Sequence, residues 1–195
     1  MPETRTFVAV ALPPEAVRAL EGLVDRLRLL PEGQACRWSA AETIHLTLKF
    51  LGDVPDARLP AVYAAVDRAC AGATPFSVEI RGLGCFPNPR RPSIVWTGLE
   101  DPAGRLAALA EEVDRALAAE GFPRETRPFR PHLTIGRVRR GARPAEAAAL
   151  GEMVAGWPAE TLAEVPVETV TVFGSRLTLA GPVHTPLHES PLAGA

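Results

Sequence analysis

An unbroken apolar run, Phe7 to Leu12, reads as a short buried strand, and Pro13-Pro14-Glu15 behind it is a helix start with proline at the first helical position. Val17, Leu20, Leu23, Val24 and Leu27 recur at helical spacing, which predicts a helix over 14–30. Ile44 to Leu51 predicts a second strand closed by Gly52-Asp53, Asp56 to Cys70 a second helix, and the alternation from Phe76 to Leu83 a third strand. The turn-rich segment Cys85 to Ser93 reads as a loop. Beyond it lie an apolar strand at Ile94 to Leu99, an Ala-rich helix over Ala103 to Glu120, a strand containing His132 to Ile135, a helix over Ala145 to Val154 and a strand over Glu164 to Val170. In the tail, Val170 to Phe173, then Gly174-Ser175, then Val183 to His188 predict one or two further strands, with a turn at Gly181-Pro182.

The pattern repeats. His45-Leu-Thr-Leu48 returns as His132-Leu-Thr-Ile135, an offset of 132 − 45 = 87 residues, and the same offset lays Phe7 to Leu12 on Ile94 to Leu99 and the flanking helices on one another. Each half reads strand, helix, motif strand, helix, strand. The expected fold class is α+β: a single domain over residues 1–195, with two pseudo-symmetric lobes, antiparallel-type sheets and helices on their outer faces. A pseudo-twofold axis would bring both motif strands to the walls of one central groove.

Composition narrows the class. With 195 residues, 47% of them hydrophobic, the chain can bury one substantial core. No apolar run is long enough to span a bilayer and the N-terminus lacks a secretory pattern, so the expectation is a cytoplasmic protein without membrane association. Cys36, Cys70 and Cys85 form no Cys-x-x-Cys pair, which speaks against a disulfide framework and a structural zinc site. Net charge is −2, yet Arg124, Arg127, Arg130, Arg137, Arg139, Arg140 and Arg143 crowd around the second motif, opposed only by Glu125. That excess favours a phosphate-bearing ligand.

Alternation puts His45 and Thr47 on one face of their strand and His132 and Thr134 on one face of theirs, with the aliphatics turned to the core. Two imidazoles presented in this way suit paired acid and base chemistry, and histidine serves either role near neutrality without a metal. Thr47 and Thr134 could donate to non-bridging phosphate oxygens. Arg130, two residues before His132, would project to the same face as a clamp, and Lys49 falls on the His45 face by the same count. Lys49, Arg139 and Arg140 are candidate RNA contacts. Trp38, Trp96 and Phe50 could stack a base, but Phe50 counts to the aliphatic face and reads as core. His184 and His188 share a face by spacing and read as surface residues. Metal hydrolysis lacks a third ligand near either motif. A non-catalytic nucleotide or RNA-binding module would need the hydroxyls and arginines but not two titratable rings.

His45-Leu-Thr-Leu-Lys-Phe-Leu-Gly52 and Phe129-Arg-Pro-His-Leu-Thr-Ile-Gly-Arg137 resemble the two signatures of the two-histidine phosphoesterase superfamily, and most closely its RNA 2',3'-cyclic phosphodiesterases, also called 2'-5' RNA ligases. The opening Arg5 to Pro13, Gly82 to Pro87, Pro92 to Gly98 and Phe173 to Arg176 are similar as well, so the likeness covers nearly the whole chain. It implies a bilobal α+β fold, no metal or other cofactor, and hydrolysis of RNA or oligonucleotide 2',3'-cyclic phosphate ends to 2'-phosphates, with nucleotides as further candidate ligands and a monomer as the expected state. By the same resemblance His45 is the proton donor, His132 the proton acceptor, and Thr47 and Thr134 hold the phosphate; 2'-5' ligation by the reverse reaction is the runner-up. His184 stands where the likeness would place an aromatic such as Tyr.

Overall fold

A computed structural model describes residues 2–178 and 181–193. Among these, nine strands and four α-helices follow in the order β1 (Glu3–Val10), α1 (Pro14–Leu29), β2 (Cys36–Trp38), β3 (Leu46–Pro55), α2 (Leu59–Ala71), β4 (Phe76–Phe86), β5 (Ile94–Glu100), α3 (Arg105–Ala119), β6 (His132–Val138), α4 (Pro144–Ala155), β7 (Thr161–Val167), β8 (Thr169–Thr178) and β9 (Gly181–Pro191). Helix α1 starts at proline, turns Ala16, Leu20, Leu23, Val24 and Leu27 into the core and carries Arg26 and Arg28 in its last turn, where cations complement the helix dipole. At α4 the Glu146 carboxylate accepts from the Arg143 amide at 2.8 Å and so satisfies one of the unpaired donors of the first turn.

All strand pairs are antiparallel and form two sheets, ordered β3-β1-β8-β9 and β2-β6-β5-β4-β7. The order β3-β1-β8 in the first matches β6-β5-β4 in the second. Each sheet therefore takes two strands from one half of the chain and its third from the other half. The helices cross over too: α1 packs on β7 of the second sheet, while α3 packs on β3 of the first, beside α2. Exchange of this kind leaves no linker between lobes and one continuous core, in which Leu20, Leu46, Ile80, Leu106, Leu133 and Leu150 are fully buried. The motif strands β3 and β6 belong to different sheets yet lie against each other, with Cα atoms within 8 Å.

Several sequence boundaries shift. Strand β3 does not stop at Gly52: Gly52 takes a φ of 73°, and the pairing with β1 absorbs it as a bulge before continuing to Pro55. Strand β8 likewise runs through Gly174-Ser175, paired to β1 at Thr6 and Arg5. Cys85 and Phe86 are the last residues of β4 rather than loop. The three-residue β2 is too short for any periodic reading, and Gly136 opposite Trp38 leaves room for it, since a Cβ there would lie 2.5 Å from the Cys36 sulfur and 2.9 Å from the Trp38 ring.

A charged pair is built into the core. Lys49, only 8% exposed, donates to Asp114 of α3 and to the Pro123 carbonyl at 2.6 Å. Burial alone would raise the Asp114 carboxyl, but hydrogen bonds from Lys49, the Glu125 amide and Arg124 outweigh it and hold the group below the usual carboxylate range. Partners are unequal: without Lys49, Asp114 keeps Arg124 and the Glu125 amide, whereas without Asp114 the ammonium keeps one carbonyl. Asp114→Ala should therefore destabilise by about 3–5 kcal/mol and Lys49→Met by distinctly less, measured by urea unfolding. Equal losses would contradict this division of roles.

Candidate active site

Each motif histidine is fixed by the same local contact. The Nδ1 of His45 lies 3.0 Å from the Thr43 carbonyl and the Nδ1 of His132 lies 2.7 Å from the Arg130 carbonyl, in both cases the residue two positions earlier. A carbonyl oxygen only accepts, so each Nδ1 carries the proton and each Nε2 is the ring nitrogen left for chemistry.

A second feature is also shared. In the β3–β1 pairing Thr47 faces Ala9 and Lys49 faces Val8, so Leu48 is an extra residue; in the β6–β5 pairing Thr134 faces Trp96 and Gly136 faces Val95, so Ile135 is extra. Both bulges follow the motif threonine directly, and each reverses the alternation beyond it. Phe50 comes to face Phe7 and so shares the face of Thr47, while Arg137 comes to face Ile94 and shares the face of Thr134. The same reversal turns Lys49 inward. The expectation that Lys49 lies on the His45 face as an RNA contact is thereby corrected: its ammonium is sequestered with Asp114. Phe50, expected in the core, is 67% exposed.

The surroundings of the two rings differ. His45 stacks on Phe7 at 4.5 Å and 24°, Phe7 stacks in turn on Phe173, and His184 stands edge-on to both His45 and Phe7 at 5.0 Å. Burial in this aromatic cage pushes His45 down to about 4; the Thr43 carbonyl opposes the shift and His184 adds to it. His132 meets Phe86 edge-on at 5.0 Å and Trp96 at 6.5 Å. Trp96 faces Gly84, where a Cβ would fall 2.2 Å from the indole, so only glycine admits the ring.

Residues 13–174 match the family profile of the 2'-5' RNA ligase superfamily. The chain belongs to that superfamily. It is 33% identical over 188 residues to the RNA 2',3'-cyclic phosphodiesterase of Methanothermobacter thermautotrophicus, covering 94% of this chain and 96% of the relative. Over 190 residues it is 32% identical to the enzyme of the same name from Thermotoga maritima, covering 97% and 96%. Among solved structures, a Thermus thermophilus protein superposes with a TM-score of 0.78 at 29% identity, covering 97% of this chain and 98% of that one. E. coli LigT complexed with 3'-AMP gives 0.77 at 25%, covering 98% and 99%.

Within this family fold the other candidate residues fall as follows. Arg130 is exposed ahead of the first paired residue of β6, where strand alternation does not govern its side chain, and its carbonyl accepts from His132 Nδ1. Arg139 donates to the Cys36 carbonyl at 3.2 Å and Arg140 is exposed in the turn behind β6. Much of the arginine cluster is neutralised locally: Arg124 pairs with Glu111 and Asp114, Arg127 with Glu125 and Arg143 with Glu146. His184 and His188 do not share a face, because Leu187 is an extra residue between Pro186 and His188 in the β8–β9 pairing. His184 joins the His45 cage, whereas His188 stacks on Tyr63 and meets Asp67 of α2 at 2.8 Å. Sequence spacing missed Phe50, Arg137 and His184 alike, since each depends on a bulge or on a contact between distant strands.

Burial around His45 has a direct readout. In the free protein its ring-proton NMR titration should show a midpoint at about 4, so the ring stays neutral as pH falls through the ordinary range near 6.5. A midpoint near 6.5 would contradict the cage.

Proposed function

We propose that this chain hydrolyses RNA or oligonucleotide 2',3'-cyclic phosphate ends to 2'-phosphates, with His45 and His132 as an acid–base pair. The observation that carries the reading is the matched anchoring of the two imidazoles, Nδ1 on the carbonyl two residues back, on strands that adjoin across two sheets. Names of the similar enzymes point to the same substrate. The repeated bulge and the matching strand order support an origin by internal duplication, with both halves in one domain.

In the proposed reaction His132 Nε2 takes a proton from water as the water oxygen attacks phosphorus. The bond from phosphorus to O3' breaks, and His45 Nε2 protonates the departing O3', leaving phosphate on O2'. Thr47 and Thr134 hydroxyls donate to the equatorial oxygens, where negative charge grows. Arg137, brought to the same face by the Ile135 bulge, and the exposed Arg130 just ahead of β6 flank that charge. Phe50 offers an exposed ring for the base. Arg139 and Arg140 lie further along the same end of β6. Among the described residues no group of three His, Cys, Asp or Glu side chains is placed to hold a metal ion, and the proposed route uses none. Hydrolysis is favoured over ligation because water, present in bulk, outcompetes an RNA hydroxyl as the attacking nucleophile.

His45 rests without the donated proton at neutral pH, since burial holds it at about 4 in the free protein. A phosphate anion against Nε2 favours the charged ring and offsets burial, so substrate binding should draw a proton onto His45. Between the free and bound values the complex holds more protons, and affinity must fall as pH rises through the bound value. Calorimetry of a nucleoside 2',3'-cyclic phosphate on the inactive His132→Ala variant, repeated in buffers of different ionisation heat, should register proton uptake. No uptake, with affinity flat in pH, would remove His45 from the donor role.

Activity on a cyclic-ended oligonucleotide should survive EDTA and yield 2'-phosphate alone, and either His→Ala change should lower turnover by roughly 10² to 10⁴. Arg137→Ala should cost more than Arg130→Ala. Formation of 3'-phosphate, or wild-type turnover in both histidine variants, would overturn the assignment.

A further inference from the structure

Strand β2 forms the edge of the second sheet, and its register on β6 sets Arg37 directly opposite Arg137. Its neighbours Cys36 and Trp38 face Val138 and Gly136, and Cys36 is fully buried, so Arg37 lies on the other face, that of Arg137, Thr134 and His132. Both arginines are exposed, and among the described residues neither makes an ion pair. Some other exposed arginines are answered by carboxylates, as in Arg28–Asp25, Arg68–Glu120, Arg115–Glu112 and Arg143–Glu146. Like charges directly opposite on paired strands destabilise the pair. Two guanidinium groups set side by side with no counter-charge form a seat for an anion with several acceptor oxygens.

We propose that Arg37 and Arg137 together bind a backbone phosphate of the RNA, Arg37 engaging the phosphodiester on the 5' side of the terminal nucleotide. The proposal rests on the cyclic phosphodiesterase reading and deepens it by making the substrate an RNA chain rather than a mononucleotide. Arg137 lies nearer the motif on β6 and serves the reacting group as well, whereas Arg37 on the outer strand serves only the chain beyond it. Arg37 is thus a specificity-determining residue: it touches substrate without touching the reacting phosphorus.

The test compares Arg37→Gln with the unchanged protein on two ligands, a 2'-phosphate-ended oligonucleotide and a nucleoside 2'-phosphate, by fluorescence anisotropy and competition across a salt series. For the oligonucleotide, Arg37→Gln should weaken binding about tenfold and reduce the slope of log affinity against log salt by about 0.7, one phosphate contact on a single strand. For the mononucleotide, affinity and slope should stay unchanged, as should kcat on a nucleoside 2',3'-cyclic phosphate. The thermal midpoint of Arg37→Gln should equal or exceed that of the unchanged protein, because a like-charge pair is relieved. Oligonucleotide binding and salt slope that match the unchanged protein, an equal loss on both ligands, or a lowered thermal midpoint would each overturn the proposal. Binding needs no turnover, so these outcomes are separate from failure of the cyclic phosphodiesterase reading, in which the unchanged protein would not turn over a cyclic end.

Discussion

The hydrogen bond from each motif imidazole to the carbonyl two residues before it is the contact on which the site depends. It is local, it needs no partner from elsewhere in the chain, and it decides which nitrogen of each ring is left free. Because the acceptor is a backbone oxygen, the tautomer does not change with pH: deprotonation always clears Nε2 and protonation always charges it. A ring held in this way works as base or acid at the same atom. Which role each takes is left to its surroundings, and there the halves part, His45 within an aromatic cage and His132 beside Phe86 at the edge of solvent.

The bulge after each motif threonine is the second constraint. One extra residue on β3 and one on β6 move the fifth position after each histidine onto the working face, Phe50 in one half and Arg137 in the other. A duplicated backbone device thus delivers different chemistry in the two halves, an aromatic surface in one and a cation in the other. The same extra residue drives Lys49 into the core, where its charge requires Asp114 and a carbonyl. Site and core are therefore coupled through the register of one strand: a slip of one residue would expose the ammonium and bury Phe50.

Much of this was legible in the chain. Helix spacing at Leu20, Leu23, Val24 and Leu27, the paired His-x-Thr motifs and the α+β order follow from period and repetition, and these depend on neighbours in sequence. What escaped depends on neighbours in space. Uninterrupted alternation put Lys49 and Phe50 on the wrong faces because a bulge is a property of two strands in register, invisible in either alone. Gly52 and Gly174 look like strand ends, yet pairing with β1 carries both strands through them. His184 gained its place beside His45 only because β9 closes the first sheet against the turn that precedes His45, a contact between segments far apart in the chain.

Long-range ¹H–¹⁵N correlation of the imidazole nitrogens, followed while a nucleoside 2'-phosphate is added, addresses the central claim most directly. The account predicts that in the free protein both His45 and His132 carry their proton on Nδ1, and that one ligand shifts both Nε2 resonances along a single binding curve. A proton on Nε2 in either ring of the neutral protein, or a ligand that moves one Nε2 and leaves the other unchanged, would contradict it.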